Sequence, residues 1–166
     1  MAIRYSFTKA MSPAKKESAY LHIPTYVAGI VFHLGAFLSF TLFFVAWFYT
    51  PGSGIISLMI SGFLLISVIC GTGILVKRMF KKTLREISNI DDYISNILVT
   101  FLQLVSALWL LNPGLLSWYF LALSLVLLYF PLGKLKHAFY FFAARYQLGL
   151  FYGRRGVWPP KQIGGI

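Results

Sequence analysis

The chain contains three histidines, and two of them stand where an imidazole is chemically unusual. His33 lies inside the apolar stretch GIVFHLGAFLSF, and His137 follows a second apolar stretch in FPLGKLKHAF, whereas His22 precedes the first stretch. A neutral imidazole can ligate a metal, accept a proton or make two hydrogen bonds. Ionisable side chains at membrane depth commonly mark functional sites. What these histidines do therefore depends on the elements that position them.

Long uncharged segments dominate the 166-residue chain, of which only 11% of the residues are charged. Neither residues 18–76 nor residues 93–133 contain Asp, Glu, Lys or Arg. A water-soluble fold cannot cover its surface with such segments, whereas about 20 apolar residues cross a bilayer as a helix. The pattern predicts an all-α integral membrane protein, a four-helix bundle. The predicted spans are residues 24–49, 55–76, 93–111 and 115–137, between an N-terminal arm (1–23) and a juxtamembrane helix and tail (138–166).

The basic residues predict the orientation of these spans. All 15 Lys and Arg residues lie in the N-terminal arm, in the loop after the second span or from Lys134 onward, and the turns TPGSG and NPG contain none. By the positive-inside rule, both termini and the 77–92 loop face the cytoplasm. The net charge of +11 then indicates topology and contact with anionic membrane lipid, not nucleic acid. We expect the cytoplasmic membrane of a prokaryote and no cleaved signal peptide.

Several smaller expectations follow from the same pattern. The motif SNIDDY should begin the third span, with Asp91 or Asp92 in its first turn. The lone Cys70 is expected to be a small buried residue without a disulfide. The aromatic residues near the outer ends of the spans are expected to lie at the membrane interface. They are Trp47, Tyr49, Trp109 and Trp118.

The depth of the histidines in the predicted bundle suggests a shared role. Helical rise places His33 roughly 24 Å from Tyr49, and His137 roughly 28 Å from Trp118, so both reach a similar depth on the cytoplasmic side. Two imidazoles from two helices at one depth can hold a haem iron from both faces. The alternatives are a carbonyl hydrogen bond to a neighbouring helix for His33 and a solvated interfacial position for His137.

The surroundings of both histidines suit a flat, apolar cofactor with anionic edges. Small and aromatic residues close to His33 offer room and apolar cover, and basic residues close to His137 can pair with propionates. The first set is Gly29, Ala36 and Phe37, and the second is Lys134, Lys136 and Arg145. The basic residues can equally be snorkelling topology markers.

Two motifs resemble a known family. VFHLGAFLSFTLFF is similar to the first haem-ligand helix of the gamma (cytochrome b) subunit of respiratory nitrate reductase, which opens with an F-H-x-G pattern. FPLGKLKHAF resembles that subunit's last helix, where a P-x-x-K/R-L-x-H pattern carries another haem ligand. The match covers the four spans, and the family's additional first helix has no counterpart in this sequence.

The resemblance implies a shortened relative with one haem b. The family's subunit holds two b haems, and His33 and His137 correspond to ligands of the cytoplasm-proximal one. The ligand positions of the second haem fall on Phe43 and Tyr119, which are not typical b-haem ligands. This departure puts the family's outer quinol site in doubt and disfavours nitrate reductase itself as the complex. Similar gamma-like subunits occur with iron–sulfur proteins and with multihaem cytochromes c, so we expect such partners.

The expected function is electron transfer between the quinone pool and a redox partner subunit, through one bis-His haem, with quinone or menaquinone as substrate. Weak candidates for a quinone site are His22, Tyr26 and Tyr140, together with Lys134. The aromatic and basic tail LGLFYGRRGVWPP is expected to dock a subunit, with a lipid-surface segment as the alternative. The rival hypothesis for the whole chain is a haem-free structural membrane anchor. A small transporter or channel is disfavoured because residues 18–76 and 93–133 contain no Asp, Glu, Lys or Arg that could line a charged transport path.

Overall fold

The computed structural model describes residues 1–12, 22–48 and 54–160, and every regular element within these ranges is helical. The α-helices are α1 (Ala2–Phe7), α2 (Ile23–Val45), α3 (Ile55–Phe80), α4 (Lys82–Glu86), α5 (Ile90–Leu111), α6 (Leu116–Tyr129) and α7 (His137–Arg154). Short 3-10 turns cover Lys9–Met11, Pro113–Leu115 and Lys134–Lys136. The all-α prediction is therefore confirmed for the described residues. The predicted interfacial Tyr49 and the TPGSG turn up to residue 53 lie outside them.

Three of the helices, α2, α3 and α5, are long and apolar enough to cross a membrane. A fourth candidate exists only if Pro113–Tyr129 and Lys134–Arg154, a bent pair of helical segments, form one span. With 14 residues, α6 rises roughly 21 Å, which is less than the hydrocarbon core of about 30 Å. The described chain thus carries three or four candidate spans, and the predicted fourth span, 115–137, is not one continuous helix.

The interruption occurs around Pro131. Phe130 makes the last regular helical bond, to the carbonyl of Val126 at 2.8 Å. Phe130 still has helical backbone angles (φ −52°, ψ −49°), but Pro131 has no amide hydrogen to donate to the preceding turn. The amides of Leu132 and Gly133 both donate to the Tyr129 carbonyl at 3.0 Å, which closes the turn. A helix therefore ends here despite the uninterrupted hydrophobicity.

The start of α5 follows the predicted pattern. The Asn89 side chain caps the helix by accepting from the Ile90 amide at 2.6 Å, and Asp92 accepts from the Asn89 amide at 2.9 Å. Together they form a reciprocal capping box. The prediction of an aspartate in the first turn is confirmed, although the helix begins before the predicted residue 93.

The chain folds into two compact units. The bundle unit comprises Pro24–Leu135, and the terminal unit comprises Met1–Ile23 together with Lys136–Ile166. In the terminal unit, α1 packs against α7. In the bundle unit, α5 packs against α3 and α6, and polar contacts tie α2 to these helices. The two ends of the chain thus form the smaller, terminal unit, and the middle of the chain forms the bundle unit.

Aromatic rings fill one part of the core of the bundle unit. Trp109 is 1% exposed and stacks on the fully buried Tyr119, with ring centroids 4.8 Å apart. The predicted interfacial position of Trp109 is therefore wrong, because the side chain faces α6 and not the outside. Trp47 and Trp118, by contrast, are exposed at 72% and 58%. The rotation of each helix about its axis decides which tryptophan is buried and which is exposed. Hydrophobicity alone does not determine this rotation.

Small residues allow the helices of the bundle unit to approach closely. The Ser61 hydroxyl donates to the Ala107 carbonyl at 3.0 Å, between α3 and α5. A Cβ added at Gly71 would lie 2.7 Å from Thr100 Oγ1, so a larger side chain does not fit there. A Cβ at Gly73 would meet nothing within 4 Å. Gly71 therefore allows α3 to pack closely against its neighbours. Small residues and hydroxyl groups commonly have this role between membrane helices.

Candidate functional site

His33 lies in the middle of α2 with a defined ring orientation. Its Nδ1 is 2.6 Å from the carbonyl oxygen of Gly29, one helical turn earlier. A carbonyl can only accept, so Nδ1 carries the hydrogen and donates it. In the neutral ring this leaves the ligating lone pair on Nε2. Metal-bound histidines commonly donate their other ring nitrogen to a carbonyl in this way, which fixes the tautomer.

The face of α2 that carries His33 points away from the packed core. Gly29, Ala36 and Phe37 share this face because they lie one helical turn from His33. His33 and Phe37 are exposed, and a Cβ at Gly29 would meet no atom within 4 Å. The predicted set of residues around His33 is therefore brought together on an outward, mostly apolar surface of the bundle unit.

The opposite face of α2 is held by polar contacts that sequence reasoning missed. Gln103 Nε2 donates to the Phe32 carbonyl at 2.9 Å, and Ser67 Oγ donates to the Val31 carbonyl at 3.1 Å. A Cβ added at Gly35 would lie 2.6 Å from the Ser67 Cβ and 3.2 Å from Gln103 Oε1. These contacts set the rotation of α2, and they direct His33 outward. The only signal in the sequence was a glutamine within an uncharged span.

The interior of the bundle unit is filled by its own side chains. Leu64, Leu102, Gln103 and Val126 are fully buried. Between α2 and α6, the Tyr119 hydroxyl donates to the Ser39 carbonyl at 2.8 Å. The residues around His33 lie outside this core, along the outer face of α2. That face offers an imidazole, apolar cover and a glycine for close approach.

Phe43 is one of the two positions where the resemblance would put a ligand of the second haem. Its ring packs edge-on against Phe120, with the ring centroids 6.2 Å apart. The other such position, Tyr119, is the buried ring already described. Both side chains thus contribute to contacts between α2 and α6. They are packing residues in this structure.

His137 is the first residue of α7 and is exposed in the terminal unit. The two predicted axial ligands therefore belong to different compact units. Lys136, the N-cap of α7, and Tyr140 are exposed in the same unit as His137. The Arg145 guanidinium lies over the Phe141 ring, 5.7 Å from its centroid. Of the predicted quinone residues, His22 is exposed in the terminal unit and Tyr26 is half-buried in α2.

Lys134 takes part in an ion-pair network of the bundle unit. Its Nζ lies 2.9 Å from Asp92, and Arg78 lies 3.1 Å from the same carboxylate. The Lys134 amide donates to Asp91 at 2.7 Å, and Asp91 also accepts from the Tyr129 hydroxyl. The network joins the ends of α3, α5 and α6. Lys134, predicted to pair with a propionate, thus already neutralises an aspartate.

Cys70, the single cysteine, is half-buried in α3. Among the residues that the structure describes, no three His, Cys, Asp or Glu side chains gather in a group that could hold a bare metal ion.

Comparison with known proteins found no matching family model, no matching curated protein and no matching solved structure.

Proposed function

We propose that this protein is a membrane subunit that binds one b-type haem and transfers electrons between the quinone pool and a redox partner. The observation that carries the proposal is the His33 side chain, whose Nδ1 is engaged by the Gly29 carbonyl on an outward face of an apolar helix. In this tautomer Nε2 is the ring nitrogen that would ligate the iron. The two histidine motifs and their resemblance to the cytochrome b subunit support the same assignment.

In this proposal His33 and His137 would be the iron ligands. Gly29 would leave room for a flat ring beside α2, and Ala36 and Phe37 would provide apolar cover. Lys136 and Arg145 of the terminal unit neutralise the propionates, whereas Lys134 primarily stabilises Asp92. A haem bound in this way supplies a one-electron couple whose potential depends on its axial ligands and burial.

The quinone pool is the proposed electron source or sink within the membrane. A quinone headgroup requires a proton donor or acceptor close to the redox centre, and His22, Tyr26 and Tyr140 offer the matching groups. The redox partner is an iron–sulfur or multihaem cytochrome c subunit, and the location is the cytoplasmic membrane of a prokaryote with both termini in the cytoplasm.

Three matched histidine variants test the haem. The His33→Ala and His137→Ala proteins should each lose the Soret band and the dithionite-induced α band of the purified protein. His22→Ala serves as the control, because His22 is exposed and lies before α2, and it should retain both bands. Wild-type protein without a Soret band, purified from cells supplied with haem precursor, would refute the proposal.

The filled interior of the bundle unit favours a second candidate, a haem-free structural anchor. Its buried polar contacts, such as that between Gln103 and Phe32, hold the helices together without any cofactor. Under this hypothesis all three histidine variants would have the same absorbance as the wild type. The spectra therefore distinguish the two functions directly.

A further inference from the structure

The terminal unit is built around a short glycine groove. Gly149 and Gly153 lie one turn apart on α7, and α1 rests against both. A Cβ added at Gly149 would lie 2.6 Å from the Ile3 Cα, and one at Gly153 would lie 2.7 Å from the Ala2 Cβ. Such a Gly-x-x-x-Gly spacing lets two helices approach at backbone distance.

Further contacts hold α1 in the groove along its length. The Ser6 hydroxyl donates to the Arg145 carbonyl at 2.8 Å. Phe7 stacks on Phe142 with ring centroids 6.3 Å apart. After α7, the chain turns back so that Trp158 packs edge-on against Tyr5, 5.5 Å between centroids. The N-terminal residues and the tail therefore form one packed element.

Among the residues that the structure describes, this packing covers one side of α7. The residues that meet α1 lie on one stripe, and the rings on the other side stay exposed. Exposed side chains on that side include Phe139 at 69%, Tyr140 at 61% and Phe151 at 47%. A helix that is apolar around its whole circumference normally lies in a protein interior or in lipid. The exposed side of α7 therefore needs an apolar or amphipathic neighbour.

The positive charge of the terminal unit favours an anionic surface as the neighbour of this side of α7. Its described residues, 1–12, 22–23 and 136–160, include no Asp or Glu. They include six basic residues: Arg4, Lys9, Lys136, Arg145, Arg154 and Arg155. Two of the arginines lie over aromatic rings of α7, with Arg155 4.0 Å from the Phe151 centroid. Aromatic rings beside cations are the composition of helices that rest in the headgroup layer of an anionic membrane.

We infer that the terminal unit binds the anionic phospholipid surface of the membrane through the exposed side of α7. The connection of the chain is consistent with a location at the membrane surface, because the first segment of the terminal unit leads directly into α2, a candidate span. The rings of Tyr140 and Phe151 enter the interfacial layer, and Arg154 and Arg155 contact lipid phosphates. A protein partner with an acidic face is the competing occupant of the same surface. This inference is independent of haem binding.

A lipid-quenching experiment on the full chain tests the inference. Ala144 is exposed on the outer side of α7, so an environment-sensitive fluorophore on Ala144→Cys, in a Cys70→Ser background, reports on that surface. The protein is placed in nanodiscs of phosphatidylcholine or of phosphatidylcholine with about 30% phosphatidylglycerol. Lipids spin-labelled near the headgroup should quench the probe about twofold more in the anionic discs. Raising the salt from about 0.1 M to about 1 M should remove the difference, since it screens exposed charges.

A pair of charge variants separates specific from general attraction. Arg154→Gln with Arg155→Gln should lower the quenching in anionic discs to the neutral-disc level. Lys81→Gln with Lys82→Gln, which removes the same charge from exposed residues of the bundle unit, should leave it unchanged. Equal quenching in both disc types, or equal loss in both variants, would overturn the inference. A probe that stays unquenched in every disc would identify a surface facing water, as a protein partner requires.

Discussion

Replacement of Gly35 by alanine should loosen the contact that sets the rotation of α2. The added Cβ would lie 2.6 Å from the Ser67 Cβ and 3.2 Å from Gln103 Oε1. Real Cβ atoms do not approach other heavy atoms within 3.0 Å, so either Ser67 or α2 must move. Movement of α2 would in turn strain the bond from Gln103 to the Phe32 carbonyl.

The magnitude follows from two opposing terms. Overpacking of a closely packed site costs about 1–3 kcal/mol. Alanine gains about 1 kcal/mol over glycine through its helix propensity. The same propensity gain applies to Gly62→Ala in α3, where a Cβ would meet nothing within 4 Å. The difference between the two variants therefore isolates the overpacking. Gly35→Ala should be about 1–3 kcal/mol less stable than Gly62→Ala.

Thermal unfolding of the two variants in the same detergent measures this difference. For a chain of this size, 1 kcal/mol corresponds to a shift of about 2–4 °C in Tm. Gly35→Ala should therefore unfold about 2–12 °C below Gly62→Ala. Measured in a Ser67→Gly background, which lacks the opposing side chain, Gly35→Ala should cost less than it does in the wild type. Equal Tm values for the two alanine variants would refute the close approach of α2 and α3.

Two further substitutions test the packing of each unit. Tyr119→Phe removes a buried hydroxyl that donates to a carbonyl of α2, and it should lower the free energy of unfolding by about 1 kcal/mol. The control Tyr140→Phe changes an exposed ring and should not alter the Tm. Equal Tm values for the two variants would contradict the buried hydrogen bond. Gly149→Leu should displace α1 and expose the N-terminus to limited proteolysis, whereas Ala143→Leu on the exposed side of α7 should not. Unchanged cleavage of the Gly149→Leu protein would show that the groove does not hold α1.

The distribution of charge and hydrophobicity predicted most of the helical content. Uncharged segments without strand-like alternation require helices if they lie in lipid, and α2, α3 and α5 lie where this argument places them. An aspartate in the first turn of α5 was predicted because this signal acts within one turn of the chain, whereas the Asn89 cap was not predicted. Local signals such as these depend on residues that are close in sequence.

The fourth predicted span shows the limit of this reasoning. Hydropathy treats residues 115–137 as one segment, but α6 ends at Tyr129. Pro131 lies within that segment. The turn closed by the amides of Leu132 and Gly133, and the contact of Asp91 with Tyr129 and Lys134, favour a break instead. Asp91 is far from both in sequence, so its influence could not be read locally.

For the candidate site, too, some features follow from the sequence and others only from the tertiary structure. The amino-acid sequence by itself predicted His33 and His137 as candidate ligands, because this prediction depends only on residue type and helical rise. Only the tertiary structure decided that His33 faces outward, because the rotation of α2 is set by Ser67 and Gln103 on other helices. It also decided that Trp109 is buried and that α1 packs on α7. These are consequences of close packing between distant segments, which no periodicity along the chain encodes.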